Sequence, residues 1–347
     1  MNNSKIFIGG FVFFALALVV YLFQPFLLNI FIAALLAVAT SNIHIKIFEL
    51  THKNRTISAA ITTFALFTLF IAPFLYAVIS IASHAANFNI QNVTATIDYI
   101  KNYDFTLPSS LDFLAPNIKS LLSQIDIGNI AKNIAQNLAN LGKMSAKFLT
   151  DIVIILIFFF FVLLYGPELI NFLKNALPMD NKDSGFILSE VANVMSVVFY
   201  STIANMIIQG MLFALVTMIY GYDGFLMGIL FAFCSLIPVV GGLLAWAPIS
   251  LYEFAQGNTT AAIVICIYTC VVISFLADNF VKPLVIKFIN SKLVKQATNI
   301  NEMLIFFAMI AGIATFGFWG IILGPAIVTF FVSTIKLYII LRKRHVV

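Results

Sequence analysis

Eight stretches of this chain carry no Asp, Glu, Lys or Arg: Ile6 to Phe23, Pro25 to Ile43, Ile57 to Ser83, Ile152 to Tyr165, Val191 to Tyr220, Phe225 to Tyr252, Thr259 to Ala277 and Met303 to Ile335. Several reach the roughly 20 residues that a helix needs to cross a bilayer. With 62% hydrophobic residues, 10% charged residues and 37 phenylalanines among 347 positions, the chain is not composed like a soluble domain. The expectation is an all-α polytopic membrane protein with about eight transmembrane helices. Ile6 to Phe23 has no small-x-small cleavage site after it, and Gln24-Pro25 leads straight into another apolar run, so it reads as a retained span rather than a signal peptide.

One long segment is polar enough for water: residues 84–147, rich in Asn, Asp, Lys and Ser and punctuated by Pro108 and Pro116. Apolar residues recur there every three or four positions over Ile118 to Ile125 and Ile130 to Leu141, the pattern of amphipathic helices. The domain order expected is therefore N-terminal spans over 1–83, a small helical insertion over 84–147, and a motif-rich transmembrane region over 148–347.

The net charge is +5, but the basic residues lie at the ends of apolar runs, which suits topology rather than nucleic acid. Fourteen of the 19 Lys and Arg residues fall on one side, and the other five, Lys101, Lys119, Lys132, Lys143 and Lys147, all belong to the insertion. That asymmetry puts both termini in the cytoplasm and the insertion outside. Parity then requires the run Phe225 to Tyr252 to begin and end on the outer side, as a hairpin. The break falls at Pro238, Gly241 and Gly242, where the proline removes a backbone donor and the glycines add freedom. In lipid, such a break must be buried in protein or face water.

A second interrupted segment resembles it. Gly221-Tyr222-Asp223-Gly224-Phe225-Leu226-Met227-Gly228 and Gly317-Phe318-Trp319-Gly320-Ile321-Ile322-Leu323-Gly324 share the pattern G-aromatic-x-G-x-x-x-G. Corresponding interrupted helices point to a transporter's path. Close packing through G-x-x-x-G alone accounts for the same glycines, and both readings stay open.

Ser201, Asn205 and Gln209 fall at i, i+4 and i+8, on one stripe of an otherwise apolar span. Amides facing lipid are costly, so the stripe faces protein or a solute path. Asp278 ends an apolar run with Lys282 four positions on, either as a structural ion pair or as a coupling carboxylate. Glu302 opens the last apolar run, where the helix dipole favours a carboxylate, and is the second coupling candidate. Asp223 and Glu253, at the outer ends of their runs, read as solvated. Cys234, Cys266 and Cys270 lack metal-type spacing and the four histidines form no cluster, so neither a metal nor a cofactor is expected. The chain has no H-E-x-x-H, G-x-S-x-G or G-x-x-x-x-G-K-[ST] pattern, so no hydrolase, kinase or self-powered pump is expected.

Taken together, "GYDGFLMGILFAFCSLIPVVGG", "DNFVKPLVI" and "AMIAGIATFGFWGIILGPA" resemble the autoinducer-2 exporter family of bacterial membrane proteins. Ile237-Pro238-Val239-Val240-Gly241 matches that family's I-P-x-x-G, Gln209-Gly210 its Q-G, Asn279 and Pro283 its N-x-x-x-P, and Gly317, Gly320 and Pro325 its closing glycine-rich turn. Asp278 stands where the family usually has Glu, and Glu302 near where it has Pro. The resemblance implies a secondary transporter of the bacterial inner membrane, exporting a small polar solute such as autoinducer-2, with a proton or sodium as a coupling partner. It also implies a homo-oligomer, with a pentamer as one form. Sodium/proton antiport is the alternative within transporters, and a non-transporting scaffold is the alternative outside them.

Overall fold

The computed structural model describes residues 2–85, 127–176, 181–238, 240–292 and 301–343. Among them the chain is entirely helical. Helix α1 (Asn2–Phe23) runs through a 3-10 turn at Gln24–Phe26 into α2 (Leu27–Ala39), followed by α3 (Ser41–Leu50) and α4 (Arg55–Ala85). Then come α5 (Ile127–Ala176), α6 (Asn181–Ile219), α7 (Gly224–Cys234), α8 (Gly241–Ala255) and α9 (Thr259–Tyr268). A π-helical stretch (Thr269–Val281) leads to α10 (Lys282–Lys292), and α11 (Glu302–Phe316) and α12 (Gly320–Lys343) close the chain.

Six stretches are long and apolar enough to cross a membrane: Phe7–Ala39, Arg55–Ser83, Ser145–Phe172, Ser189–Ile219, Thr259–Ile289 and Met303–Ile339. Two features bring the expected eight down to six. Pro25 sits at the start of a 3-10 turn, where its missing N–H costs nothing, so α1 and α2 follow one another without a polar connector. The run Phe225 to Tyr252 is divided into α7 and α8, 11 and 15 residues long. At 1.5 Å per residue these reach only about 16 and 22 Å, short of a hydrocarbon core of about 30 Å.

Helix α5 shows how such a helix serves two environments. Ile152, Ile155, Leu156 and Phe159 form a buried face, while Val153, Ile157 and Phe161 are exposed on another. Both faces are apolar, as expected where the outer solvent is lipid. The same helix continues unbroken from Ile127, so the boundary expected at residue 147 lies within it. It has 50 residues, with Pro167 inside it. The sequence-predicted amphipathic segment Ile130 to Leu141 is helical in backbone, and Ile118 to Ile125 lies outside the described residues.

The chain divides into two compact units. Unit 1 comprises Met1–Phe67, Thr150–Phe199 and Leu293–Val347. Its core includes Ala39, Met195 and Ala326 from α2, α6 and α12, with Leu35, Val191, Phe199 and Ile322 packed around them. The Ser196 hydroxyl donates to the Ala39 carbonyl at 2.9 Å. Among the described residues two ion pairs tie its helices: Arg55 with Glu168, both exposed, and Lys336 with Glu190 at 2.9 Å. Each joins ends that the charge distribution assigns to one side.

Unit 2 comprises Thr68–Leu149 and Tyr200–Lys292. Phe213, Val216, Phe231, Ile265 and Ile273 bring α6, α7, α9 and the π-helical stretch onto one core. The Phe213 and Phe231 rings stack 4.5 Å apart, and Trp246 and Ile249 of α8 pack against the cluster.

Candidate functional site

The stripe on α6 is turned into protein. Ser201 and Gln209 are 8% and 6% exposed and Asn205 is half-buried. Roughly opposite, α6 borders an apolar groove of about 240 Å³ lined by Pro73 of α4, Met206, Gly210 and Ala214 of α6, and Phe225 and Gly228 of α7. No polar side chain lines that groove, so the groove and the polar stripe are separate faces of one helix.

Close backbone approach explains Gly228 of the first repeat and Gly210, which faces it. A Cβ at Gly210 would lie 2.6 Å from the Gly228 carbonyl oxygen, and one at Gly228 would lie 2.9 Å from the Gly210 oxygen. In unit 1, a Cβ at Gly320 would collide with the Gly312 carbonyl, and one at Gly324 with that of Ala308. Pairs 308/324 and 312/320 have a constant sum, the signature of an antiparallel hairpin, so Met303–Ile339 is folded back on itself rather than straight. The leading glycines of the two repeats, Gly221 and Gly317, both take positive φ, at 82° and 62°. Thus both copies build one device: a left-handed glycine turns the chain, the next opens a helix, and the last presses that helix on its predecessor.

The break in unit 2 is equally specific. After α7, the Ile237 N–H donates to the Cys234 carbonyl at 2.9 Å and the Gly241 N–H to the Ile237 carbonyl at 3.0 Å. Pro238 is half-buried inside this reversal. Gly241 begins α8 directly over the Cys234 carbonyl, where a Cβ could not fit, whereas Gly242 meets only the Phe231 ring, at 3.6 Å.

The reversal closes at its far end through a residue that sequence reasoning misplaced. Glu253 is not solvated; it is 7% exposed. One carboxylate oxygen accepts from the Tyr222 hydroxyl at 2.5 Å and the other from the Asn258 amide at 2.9 Å. Residues 222 and 253 thus meet, and α7 and α8 form a closed hairpin. The sequence signal was faint: a lone carboxylate ending a charge-free run. Burial, and then the bond to Glu253, hold the Tyr222 phenol well above its ordinary range, so Tyr222 is the donor. Asp223 is exposed, as expected, but accepts from Tyr76 at 2.9 Å and caps α7 through the Leu226 N–H at 3.1 Å.

Asn279 is exposed and its amide donates to the Phe275 carbonyl at 2.7 Å; Pro283 is exposed at the second position of α10. The Asp278 side chain lies outside the described residues, though its backbone belongs to the π-helical stretch. Glu302 occupies the first turn of α11 with its side chain likewise outside them, and the cap is Asn301, which accepts from the Met303 N–H at 2.9 Å. Pro325 is buried early in α12, next to Gly324. The sequence-predicted residues therefore divide: Ser201 to Pro283 belong to unit 2, and Gly317, Gly320, Pro325 and Glu302 to unit 1.

The family model described as AI-2E family transporter matches residues 11–340, which includes both hairpins. The chain belongs to the AI-2E transporter family. It is similar to a Helicobacter pylori protein provisionally named for transport, 33% identical over 319 residues that cover 92% of this chain and 91% of that one. An Aquifex aeolicus protein named in the same way is 23% identical over 312 residues, covering 82% of this chain and 83% of its own. This AI-2E family member is thus a multi-pass membrane protein of a transport family.

Proposed function

We propose that the chain is a secondary transporter that exports a small polar solute, with autoinducer-2 as the first candidate, across the bacterial inner membrane. The observation that carries this reading is the buried stripe of Ser201 and Gln209 in a span that is otherwise apolar. Polar side chains are expensive there unless they pair with protein or line a path. The glycine-turned α6–α7 hairpin belongs to the same unit as this stripe, and the charge asymmetry supports cytoplasmic termini. Within that topology the apolar runs Ile6 to Phe23 and Pro25 to Ile43 count as separate spans, the α7–α8 hairpin re-enters from outside, and residues 84–147 form the external insertion. The transporter works as a homo-oligomer, with a pentamer as the candidate form. Asp278 and Glu302 are the coupling candidates, Asn279 and Pro283 are candidates for the path, and sodium/proton exchange is the alternative if flux follows ions alone.

The experiment is flux in liposomes with candidate solutes under imposed proton and sodium gradients. Gln209→Leu and Asn205→Leu keep much of the volume and suit the bilayer, so the protein should assemble while solute flux falls at least tenfold, the equivalent of about 1.4 kcal/mol. Normal flux in a well-assembled Gln209→Leu protein would return the stripe to packing, and absence of any solute or ion flux in the unmodified protein would favour the scaffold.

A further inference from the structure

We propose that Glu253 is a proton-binding site that latches the broken hairpin of unit 2. Its consequence for flux rests on the transport reading; the latch itself does not.

Glu253 is buried, yet among the described residues no Lys, Arg or His forms an ion pair with it. A carboxylate has about four lone-pair positions. The structure fills two, with one bond to each oxygen from a neutral donor. A buried carboxylate without a counter-charge invites a cation, and the smallest is a proton. Solvent is one step away, because Gln256, Gly257 and Asn258 are exposed immediately after the buried residue.

The bonds that the carboxylate accepts join three elements: the turn between α6 and α7, the end of α8, and the start of α9. The Asn258 N–H also donates to the Glu253 carbonyl at 2.9 Å, and the Ser250 hydroxyl to the Ala262 carbonyl, so α8 and α9 stay joined whatever the carboxylate does. The turn that carries Tyr222 reaches α8 through the carboxylate bond and through Tyr220, which packs on the same cluster as Trp246 and Ile249, so the carboxylate supplies the polar part of that link. The titratable groups described on the surrounding elements are Tyr220, Tyr222 and Asp223 on the turn, Tyr76 on α4, Cys234 on α7, Tyr252 on α8, and Cys266, Tyr268 and Cys270 on α9 and the π-helical stretch, with Asp278 in the backbone of that stretch. Among these described side chains none is a cation in ordinary conditions, and Asp223 is engaged by Tyr76.

Proton uptake converts one carboxylate oxygen from acceptor to hydroxyl donor while Tyr222 keeps its own proton. Charge-assisted bonds become neutral ones, which are about half as strong, and the Tyr222 contact loosens. The hairpin then opens at the end where Tyr222 meets Glu253.

Hydrogen–deuterium exchange of the full-length protein in nanodiscs tests this, with rates corrected for the intrinsic effect of pH. Protection over residues 219–224 and 252–258 should fall about tenfold in acid relative to neutral pH. Glu253→Gln, permanently neutral, should show the loosened value at both pH values, and Glu253→Asp should keep a pH response. Protection that does not change with pH in the unmodified protein, or an unaltered pH response in Glu253→Gln, would overturn the proposal. Flux in parallel liposomes separates the two claims: a pH-dependent latch without any flux sinks the transport reading, and flux with a pH-independent latch sinks this one.

Discussion

Gly210 and Gly228 set the distance between α6 and α7, and replacing Gly210 with Ala puts two opposing effects on a scale. In a helix interior, Gly→Ala is favourable by about 1 kcal/mol from backbone entropy. Against this, the new methyl would lie 2.6 Å from the Gly228 oxygen and 3.0 Å from the Ala232 Cβ. Carbon atoms rest at about 3.5–4.0 Å, so the helices must part by several tenths of an ångström or more. Overpacking of this kind costs about 1–3 kcal/mol. The crowding equals or exceeds the propensity gain, so Gly210→Ala should leave the protein as stable or less stable. Gly10→Ala on α1, where nothing lies within 4 Å, keeps the propensity gain undiminished and is the control. Unfolding by denaturant in detergent, followed by far-ultraviolet circular dichroism, reads the helices of both units and so reports on both variants. The difference between the two variants should be about 1–3 kcal/mol. If Gly210→Ala stabilises as much as Gly10→Ala, the close approach of the backbones is not what these glycines are for.

The two ion pairs of unit 1 should behave differently. Glu190 and Lys336 have side chains 16% and 40% exposed, so a double-mutant cycle should give a coupling of about 1–3 kcal/mol, whereas the exposed Arg55–Glu168 pair should give much less; equal values would refute the dependence on burial. Topology is testable on a background lacking Cys234, Cys266 and Cys270: cysteines at Asn92 or Asn129 should react with an impermeant reagent from outside and one at Ser291 should not, and the reverse pattern would overturn the orientation. The Tyr222 phenol is raised above its ordinary value near 10, so its contribution to stability is complete below that pH and is lost as pH climbs through the raised value. Tyr222→Phe should remove part of the alkaline fall in melting temperature, and an unchanged alkaline limb would show that other groups govern it.

The apolar runs were enough to determine the helical class and the breaks at Pro238 and Gly317, because each follows from a local property: hydropathy over a window, a missing donor, or a φ that only glycine takes readily. The same local logic placed Ser201 and Gln209 toward protein, since an amide on an apolar helix has few alternatives. Span count was less secure, because whether Pro25 reverses the chain or merely tightens it depends on dihedrals that its flanking residues do not fix. Burial of Glu253 was decided only by tertiary structure. A carboxylate at the end of an apolar run is solvated unless a partner covers it, and its partners, Tyr222 and Asn258, meet it only when α7 and α8 fold back. The pairing of Glu190 with Lys336, 146 residues apart, is of the same kind. Local sequence reports the cost of exposing a side chain to water or lipid; which distant group relieves that cost is settled by packing.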